Sequence, residues 1–300
     1  MQNGARPLLD LFIKQTGGSG YFTDFFSKIF VTLTDDFHTL VSSFQYSVSS
    51  SEKSVSIRAH LWLNFPMRNP IIVALDVPTA EQALALAEQL APAVGGFKIG
   101  SELFTSAGPD IVKKIRERGA LVFLDLKFHD IPNTVAKAVT AATKLDVQML
   151  TVHAGGGSEM LKAAENAAEE TSWKLGRTPP LVLGVTVLTS LDAGALREVG
   201  LDVNVDYQVR RLATVATNAG LRGFVCSPLE ISALRKVLPA SAQLVTPGIR
   251  TGEEKADDQK RTLTPREAIA AGANWLVIGR PIYAAENPRQ AAEKILGSLN

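Results

Sequence analysis

Leu121–Leu145 reads LVFLDLKFHDIPNTVAKAVTAATKL. Its opening, Leu121–Leu126, is an apolar run of strand length, and its close, Thr134–Leu145, is an Ala-rich stretch with helical spacing. Between them stands a polar turn crowded with ionisable groups. Reading outward, the same unit recurs throughout residues 67–300. The strand candidates are Ile71–Leu75, Gly96–Ile99, Leu121–Leu126, Gln148–His153, Leu181–Val187, Gly223–Cys226, Gln243–Thr246 and Trp275–Ile278. Helical patterns follow them at Thr79–Leu90, Asp110–Arg118, Thr134–Leu145, Ser158–Glu169, Tyr207–Ala219, Leu229–Val237, Pro265–Ala271 and Pro288–Leu299. Thr79 is an expected N-cap, and Gly119 and Gly220 stand where helix C-caps require positive φ. Eight strands alternating with eight helices over this length predict an α/β chain closed into a (β/α)8 TIM barrel. A doubly wound open sheet is the lesser alternative: it usually carries fewer repeats and a glycine-rich first turn, and Asp76-Val77-Pro78-Thr79 contains no glycine.

The composition fits a globular chain of 300 residues, 46% hydrophobic and 20% charged. A net charge of +1 removes any whole-protein attraction to nucleic acid or to a membrane surface. One cysteine, Cys226, can form neither an intrachain disulfide nor a zinc cluster, so we expect a reducing compartment, the cytoplasm. No apolar run reaches the roughly 20 residues of a membrane span, and no basic-then-apolar signal pattern opens the chain.

Residues 1–66 differ. They hold eight of the thirteen phenylalanines and a serine-rich stretch, Ser47-Val48-Ser49-Ser50-Ser51, with no sustained period outside Tyr21–Leu33. Asp10, Asp24, Asp35, Asp36 and Glu52 make them a poor organelle-targeting peptide. With Met67 directly ahead of the first strand, the expectation is a loosely packed or disordered extension, or upstream sequence read in front of the true start, before a barrel domain at 67–300.

In such a barrel the ligand lies at the carboxyl ends of the strands. Polar residues there are Asp76, Lys98, Asp125, Lys127, His153, Thr189, Ser190, Arg250 and Arg280. Strand alternation puts Asp125 and Lys127 on one face, Lys98 ends the neighbouring strand, and Asp130 follows on the loop. One reading is a structural ion-pair network. Two lysines interleaved with two aspartates are an expensive way to hold a fold together, however, and a good way to keep a proton donor charged beside a negative site. Thr246-Pro247-Gly248-Ile249-Arg250 and Gly279-Arg280-Pro281-Ile282 occupy the loops after strands seven and eight, where this fold takes phosphate. The polar stretch 251–264 between them has the length of a lid, and Gln259 in it could close on a phosphate.

Weaker candidates have plainer readings. His129 and His153 show no metal-ligand spacing, Cys226 reads as a small core residue, Trp275 as core, and His38 and His60 carry no visible chemistry. We expect no metal.

The ten residues Asp125–Thr134, DLKFHDIPNT, resemble the signature of the orotidine 5'-phosphate decarboxylases, the bacterial branch in particular. The likeness extends through IIVALDVP at 71–78, GGFKIG at 95–100, VHAGGG at 152–157, VTVLTS at 185–190, CSPLE at 226–230, TPGIR at 246–250 and IGRPI at 278–282, and it excludes residues 1–66. It implies cofactor-free decarboxylation of orotidine 5'-phosphate to UMP and carbon dioxide in pyrimidine synthesis. Lys127 would protonate C6, Asp125 would face the substrate carboxylate, and Lys98 and Asp76 would bind the ribose. Thr189 and Ser190 would address the ring, and Arg250, Gln259, Gly279 and Arg280 the phosphate. The resemblance further implies a homodimer in which Asp130 and Thr134 reach into the site of the second copy. Two rivals stand beside it. The sugar-phosphate branch of the same superfamily uses magnesium, carries a carboxylate where Lys98 stands, and lacks the Asp-Ile-Pro-Asn-Thr run. The other is a nucleotide-binding barrel without catalysis.

Overall fold

A computed structural model of the chain describes residues 43–50, 53–60, 69–201, 203–250 and 262–299. The chain divides into two units, Met1–Leu63 and Asn64–Asn300. In the first, the backbone of Ser43–Ser50 pairs antiparallel with Lys53–His60, setting Phe44 opposite Ala59, Tyr46 opposite Ile57 and Val48 opposite Val55. Those six positions alternate with polar ones, the period-two signal of a strand, which the compositional reading of 1–66 passes over. The Tyr21–Leu33 expectation lies outside the described residues.

The second unit is a closed barrel of eight parallel strands. They are β1 (Ile71–Ala74), β2 (Gly96–Gly100), β3 (Leu121–Phe128), β4 (Met149–His153), β5 (Leu181–Val185), β6 (Gly223–Val225), β7 (Gln243–Thr246) and β8 (Trp275–Ile278). Each strand pairs with the next in sequence, and Leu276 of β8 sits beside Ile71 of β1 to complete the circle.

Strand alternation sorts the apolar residues into two cores. Ile72, Ala74, Phe123, Met149, Leu183, Val245 and Val277 pack together inside the barrel, with Trp275 against them. Ile71, Val73, Phe97, Ile99, Val122 and Leu124 face outward to the helices. Phe97 and Ile99 have no exposed surface, and full burial of each side chain contributes about 1.5–3 kcal/mol. That outward pull leaves Lys98, between them, turned into the barrel.

The helices are α1 (Ala80–Leu90), α2 (Ser101–Ala107), α3 (Asp110–Arg116), α4 (Pro132–Lys144), α5 (Gly157–Leu175), α6 (Ala193–Glu198), α7 (Val205–Asn218), α8 (Ile231–Arg235), α9 (Pro265–Ala271), α10 (Arg280–Tyr283) and α11 (Pro288–Gly297). Thr79 caps α1, its hydroxyl accepting from the Gln82 amide at 3.3 Å, and Gly119 and Gly220 adopt φ of 77° and 104°. Four helices depart from expectation. α2, α6 and α10 are additional, and α5 runs six residues beyond Glu169 to Leu175, capped by Gly176, which is left-handed at φ 63°.

Candidate active site

The carboxyl ends of β1, β2 and β3 bring four charged side chains into one line. Asp76, just past β1, accepts from Lys98 Nζ at 2.9 Å. Lys98 Nζ stands 3.8 Å from Asp125 Oδ2, and Lys127 Nζ donates to both carboxylate oxygens of Asp125 at 2.9 Å. Charge alternates along this Asp76–Lys98–Asp125–Lys127 chain, so no member stands without an opposite neighbour. Asp125 and Lys98 are deepest, each with 13% of the side chain exposed; Lys127 has 36% and Asp76 48%.

Asp125 and Lys127 share a face, as expected, but not by simple alternation. The β3–β4 pairing jumps from Leu124 opposite Leu150 to Phe128 opposite Val152, so four residues advance along β3 against two along β4. Lys127 sits in the extra length at φ 52°, a left-handed conformation that costs a non-glycine residue about 1–2 kcal/mol. The strand continues through the bulge to Phe128, two residues past the expected end. Thr151 of β4 spans the gap. Its buried hydroxyl accepts from the Lys127 amide at 2.8 Å and donates to Asp125 Oδ1 at 3.0 Å.

Asp76, Lys98, Asp125 and Lys127 line a cavity of about 270 Å³ at the barrel mouth. The same cavity is lined by Pro247, Gly248 and Arg250 after β7, and by Gly279 and Arg280 after β8. Gly248 makes its turn at φ 77°, and Arg250 Nη1 donates to the Ile249 carbonyl at 3.0 Å. Thr189, Leu188, Val185, Val187 and Phe123 complete this part of the lining. Cys226 also reaches the lining; burial pushes its thiol up to about 12, which suits a packing residue and not a nucleophile.

The remaining expected residues stand elsewhere. Asp130, Thr134 and Ser190 are exposed and do not line this cavity, and Gln259 lies outside the described residues. Asp130 accepts from the Ile131 amide at 2.6 Å, beside an Ile131 that is 67% exposed. His129 and His153 face each other at 5.2 Å between ring centroids. Burial, then His129 and Lys127, holds His153 below the usual histidine range.

Two cavity-related residues escaped the sequence reading. Thr151 lies within an apolar strand, not at its end, so a search of strand ends passes over it. Tyr283 closes α10 and lines the cavity; its ring carbon Cε1 would lie 3.4 Å from a Cβ on Gly279, so the glycine leaves room for it. Burial, then the negative charge of Asp76, raises its phenol above the usual range.

A larger hollow of about 420 Å³ lies between α4 and α5, lined by Lys137, Lys144, Glu170 and Lys174 among others. No strand end contributes to it, so it lies apart from the charged chain. Among the described residues no group of three or more His, Cys, Asp or Glu side chains is arranged to hold a metal ion, and no helix is long and apolar enough to cross a membrane.

Comparison with known proteins points to one family. The family described as Orotidine 5'-phosphate decarboxylase / HUMPS family matches residues 69–295. The orotidine 5'-phosphate decarboxylase of Paramagnetospirillum magneticum is 50% identical over 233 residues, 78% of this chain and 99% of that protein. The enzyme of the same name from Moorella thermoacetica is 50% identical over 233 residues, 77% of this chain and 92% of its own length. The crystal structure of orotidine 5'-phosphate decarboxylase from Lactobacillus acidophilus superposes with a TM-score of 0.70 at 39% identity, covering 78% of this chain and all of that one.

Proposed function

The chain belongs to the orotidine 5'-phosphate decarboxylase / HUMPS family, and from that premise we propose that it is a carboxy-lyase converting orotidine 5'-phosphate to UMP and carbon dioxide. The observation that carries the reading is the chain of alternating charge at the mouth, with Lys98 Nζ 2.9 Å from Asp76 and 3.8 Å from Asp125. An ammonium between two carboxylates occupies the position in which the sugar-phosphate branch needs another carboxylate for magnesium. Relatives at 50% identity that carry the decarboxylase name support the same branch.

In this reading the phosphate seats against Arg250, Gly279 and Arg280, with Gln259 closing over it. Asp76 and Lys98 hold ribose hydroxyls, and Thr189 and Ser190 address the pyrimidine edge. The substrate carboxylate then lies against Asp125. The C6–carboxylate bond breaks, its electron pair stays on C6, and carbon dioxide leaves. Lys127 Nζ gives its proton to C6 and is reprotonated from solvent. No redox partner is needed, because the pair that forms the new C–H bond is the one the departing group leaves behind. Asp130 and Thr134, exposed in one copy, complete the site of a second copy in a homodimer acting in the cytoplasm on the route to UMP.

The decisive measurement follows the loss of the orotate chromophore with the full chain and with residues 67–300 side by side, each with and without a chelator. Turnover by both proteins, unchanged by chelation, is expected. No turnover, or turnover that requires magnesium, overturns the reading. Inactivity of 67–300 alone assigns residues 1–66 a part in the enzyme.

A further inference from the structure

A proton donor is useful only if its ammonium is held where charge develops, and in this chain that depends on an unusual backbone. Lys127 and Asp146 are the two non-glycine residues with positive φ among those described, and Lys127 is the one at the reacting centre. The bulge that produces this conformation also takes Asp125-Leu126-Lys127 out of register with β4, whose ladder resumes at Phe128. A buried amide left without an acceptor at Lys127 would open the bulge to rearrangement.

Thr151 prevents that. It has no exposed surface, does not line the cavity, and sits between Leu150 and Val152, the two residues that bracket the register jump. A hydroxyl has one proton to give and lone pairs to receive. Here the lone pair takes the Lys127 amide proton at 2.8 Å, so the hydroxyl proton is directed to Asp125 Oδ1 at 3.0 Å. The other hydrogen bonds of that carboxylate run to Lys127 Nζ. One side chain therefore fixes the backbone that carries the ammonium and the carboxylate that anchors it. Valine fits the same volume and satisfies neither.

We propose that Thr151 is a positioning residue for the decarboxylation, acting through Lys127 and Asp125 without touching substrate. The inference rests on the functional reading above, and its test is chosen so that the two fail differently. Thr151→Val and Thr151→Ser are compared with the native enzyme for kcat, for KM with orotidine 5'-phosphate, for UMP affinity by calorimetry, and for amide exchange at Lys127. Misplacement of a reacting group by an ångström costs about a hundredfold in rate. Thr151→Val should therefore lose about that factor in kcat while KM and UMP affinity move less than about threefold, the mark of an interaction made in the transition state alone. Thr151→Ser, which keeps the hydroxyl, should hold kcat within about threefold, and the Lys127 amide should exchange faster in the valine variant only.

A valine variant with native kcat overturns the proposal, and so does a serine variant that falls as far as valine, since the loss then belongs to packing. If Thr151→Val does not fold, Thr151→Cys, with a weaker donor and acceptor at similar volume, takes its place against Thr151→Ser. If the native enzyme itself fails to turn over substrate, the functional reading falls, and exchange at Lys127 decides the positional claim: equal rates in native protein and variant refute it.

Discussion

Replacing Lys127 by methionine keeps the stem and removes the ammonium, and it separates a catalytic role from a structural one by magnitude. At 2.9 Å and an effective dielectric of about 20, the gross attraction between Lys127 and Asp125 is about 6 kcal/mol. Desolvation and water take back most of it, because 36% of the lysine side chain is exposed; hydrogen bonds to charged groups net about 1.5–3 kcal/mol, and a solvent-screened one belongs at or below the lower end. Asp125 keeps Lys98 at 3.8 Å and Thr151 at 3.0 Å. The fold should thus lose about 1–2 kcal/mol, a fall of about 2–8 °C in Tm for a domain of this size. The reaction should lose far more. A positioned proton donor is worth about 10²–10⁴ in rate, and a charge aimed at a developing anion about 10²–10³. Turnover should drop by at least about 10⁴, equivalent to about 5.5 kcal/mol, while calorimetry still shows UMP binding within about tenfold of native, since the loops after β7 and β8 that are proposed to grip the phosphate are untouched. The assay is orotate absorbance with calorimetry and thermal melting on the same preparations. Turnover within tenfold of native would refute the assignment of Lys127 as the donor.

Arg280→Ala should raise KM by about 10–100-fold, the worth of a charge-assisted contact, and shrink the advantage of the phosphorylated substrate over the free nucleoside; an unchanged ratio between the two removes Arg280 from the phosphate grip. Asp130→Ala should lower turnover although Asp130 lies outside the cavity of its own copy, and mixing that variant with Lys127→Met should regain activity through mixed dimers; no recovery on mixing argues against shared sites. Glu165 is buried beside Arg222 at 2.9 Å, and burial raises its carboxyl from 4.5 to about 7. Because the folded state favours the protonated form, its contribution to stability is intact below about pH 4.5 and is lost as pH rises through about 7, a change of about 3 kcal/mol. Glu165→Gln, which cannot ionise, should therefore gain on the native protein in thermal melts taken from pH 5 to pH 8; parallel curves would show that the carboxylate pairs with Arg222 at no cost.

The barrel is legible because its signal repeats: each apolar run ends in a polar turn and leads to an Ala-rich stretch, and closure follows from the count. Lys98 is legible for a related reason, since Phe97 and Ile99 seek the helices and alternation does the rest. The bulge in β3 is not. Period-two reasoning ends the strand at Leu126 and puts Lys127 beside Asp125 for the wrong local reason; the left-handed lysine depends on Thr151, a partner 24 residues away in sequence. Tyr283 escapes because it stands five residues past the end of β8, beyond the strand-end positions that the reading searches. The pairing of Ser43–Ser50 with Lys53–His60 is the converse case, since its alternation is in the sequence and a serine-rich composition hid it.

The line of charges also constrains how the site can work. The formal charges of Asp76, Lys98, Asp125 and Lys127 sum to zero, so in the proposed reaction a substrate carboxylate arriving beside Asp125 adds an unbalanced negative charge to a neutral set. At about 4 Å and an effective dielectric of about 20, repulsion between the two carboxylates raises the bound ground state by about 4 kcal/mol. Its relief on loss of neutral carbon dioxide accounts for about three powers of ten, against the roughly 8–23 kcal/mol that enzymes supply. The larger share has to come from the cation already in place. As the bond breaks, charge moves from the carboxylate to C6, away from Asp125 and toward an ammonium held by a rigid backbone, and a preset charge requires no reorganisation at that moment. Phosphate binding energy, used to bring the nucleotide against Asp125, then opposes the repulsion in the ground state without weakening the attraction in the transition state. On this account Asp125 has a second use that exceeds the first: it anchors Lys127.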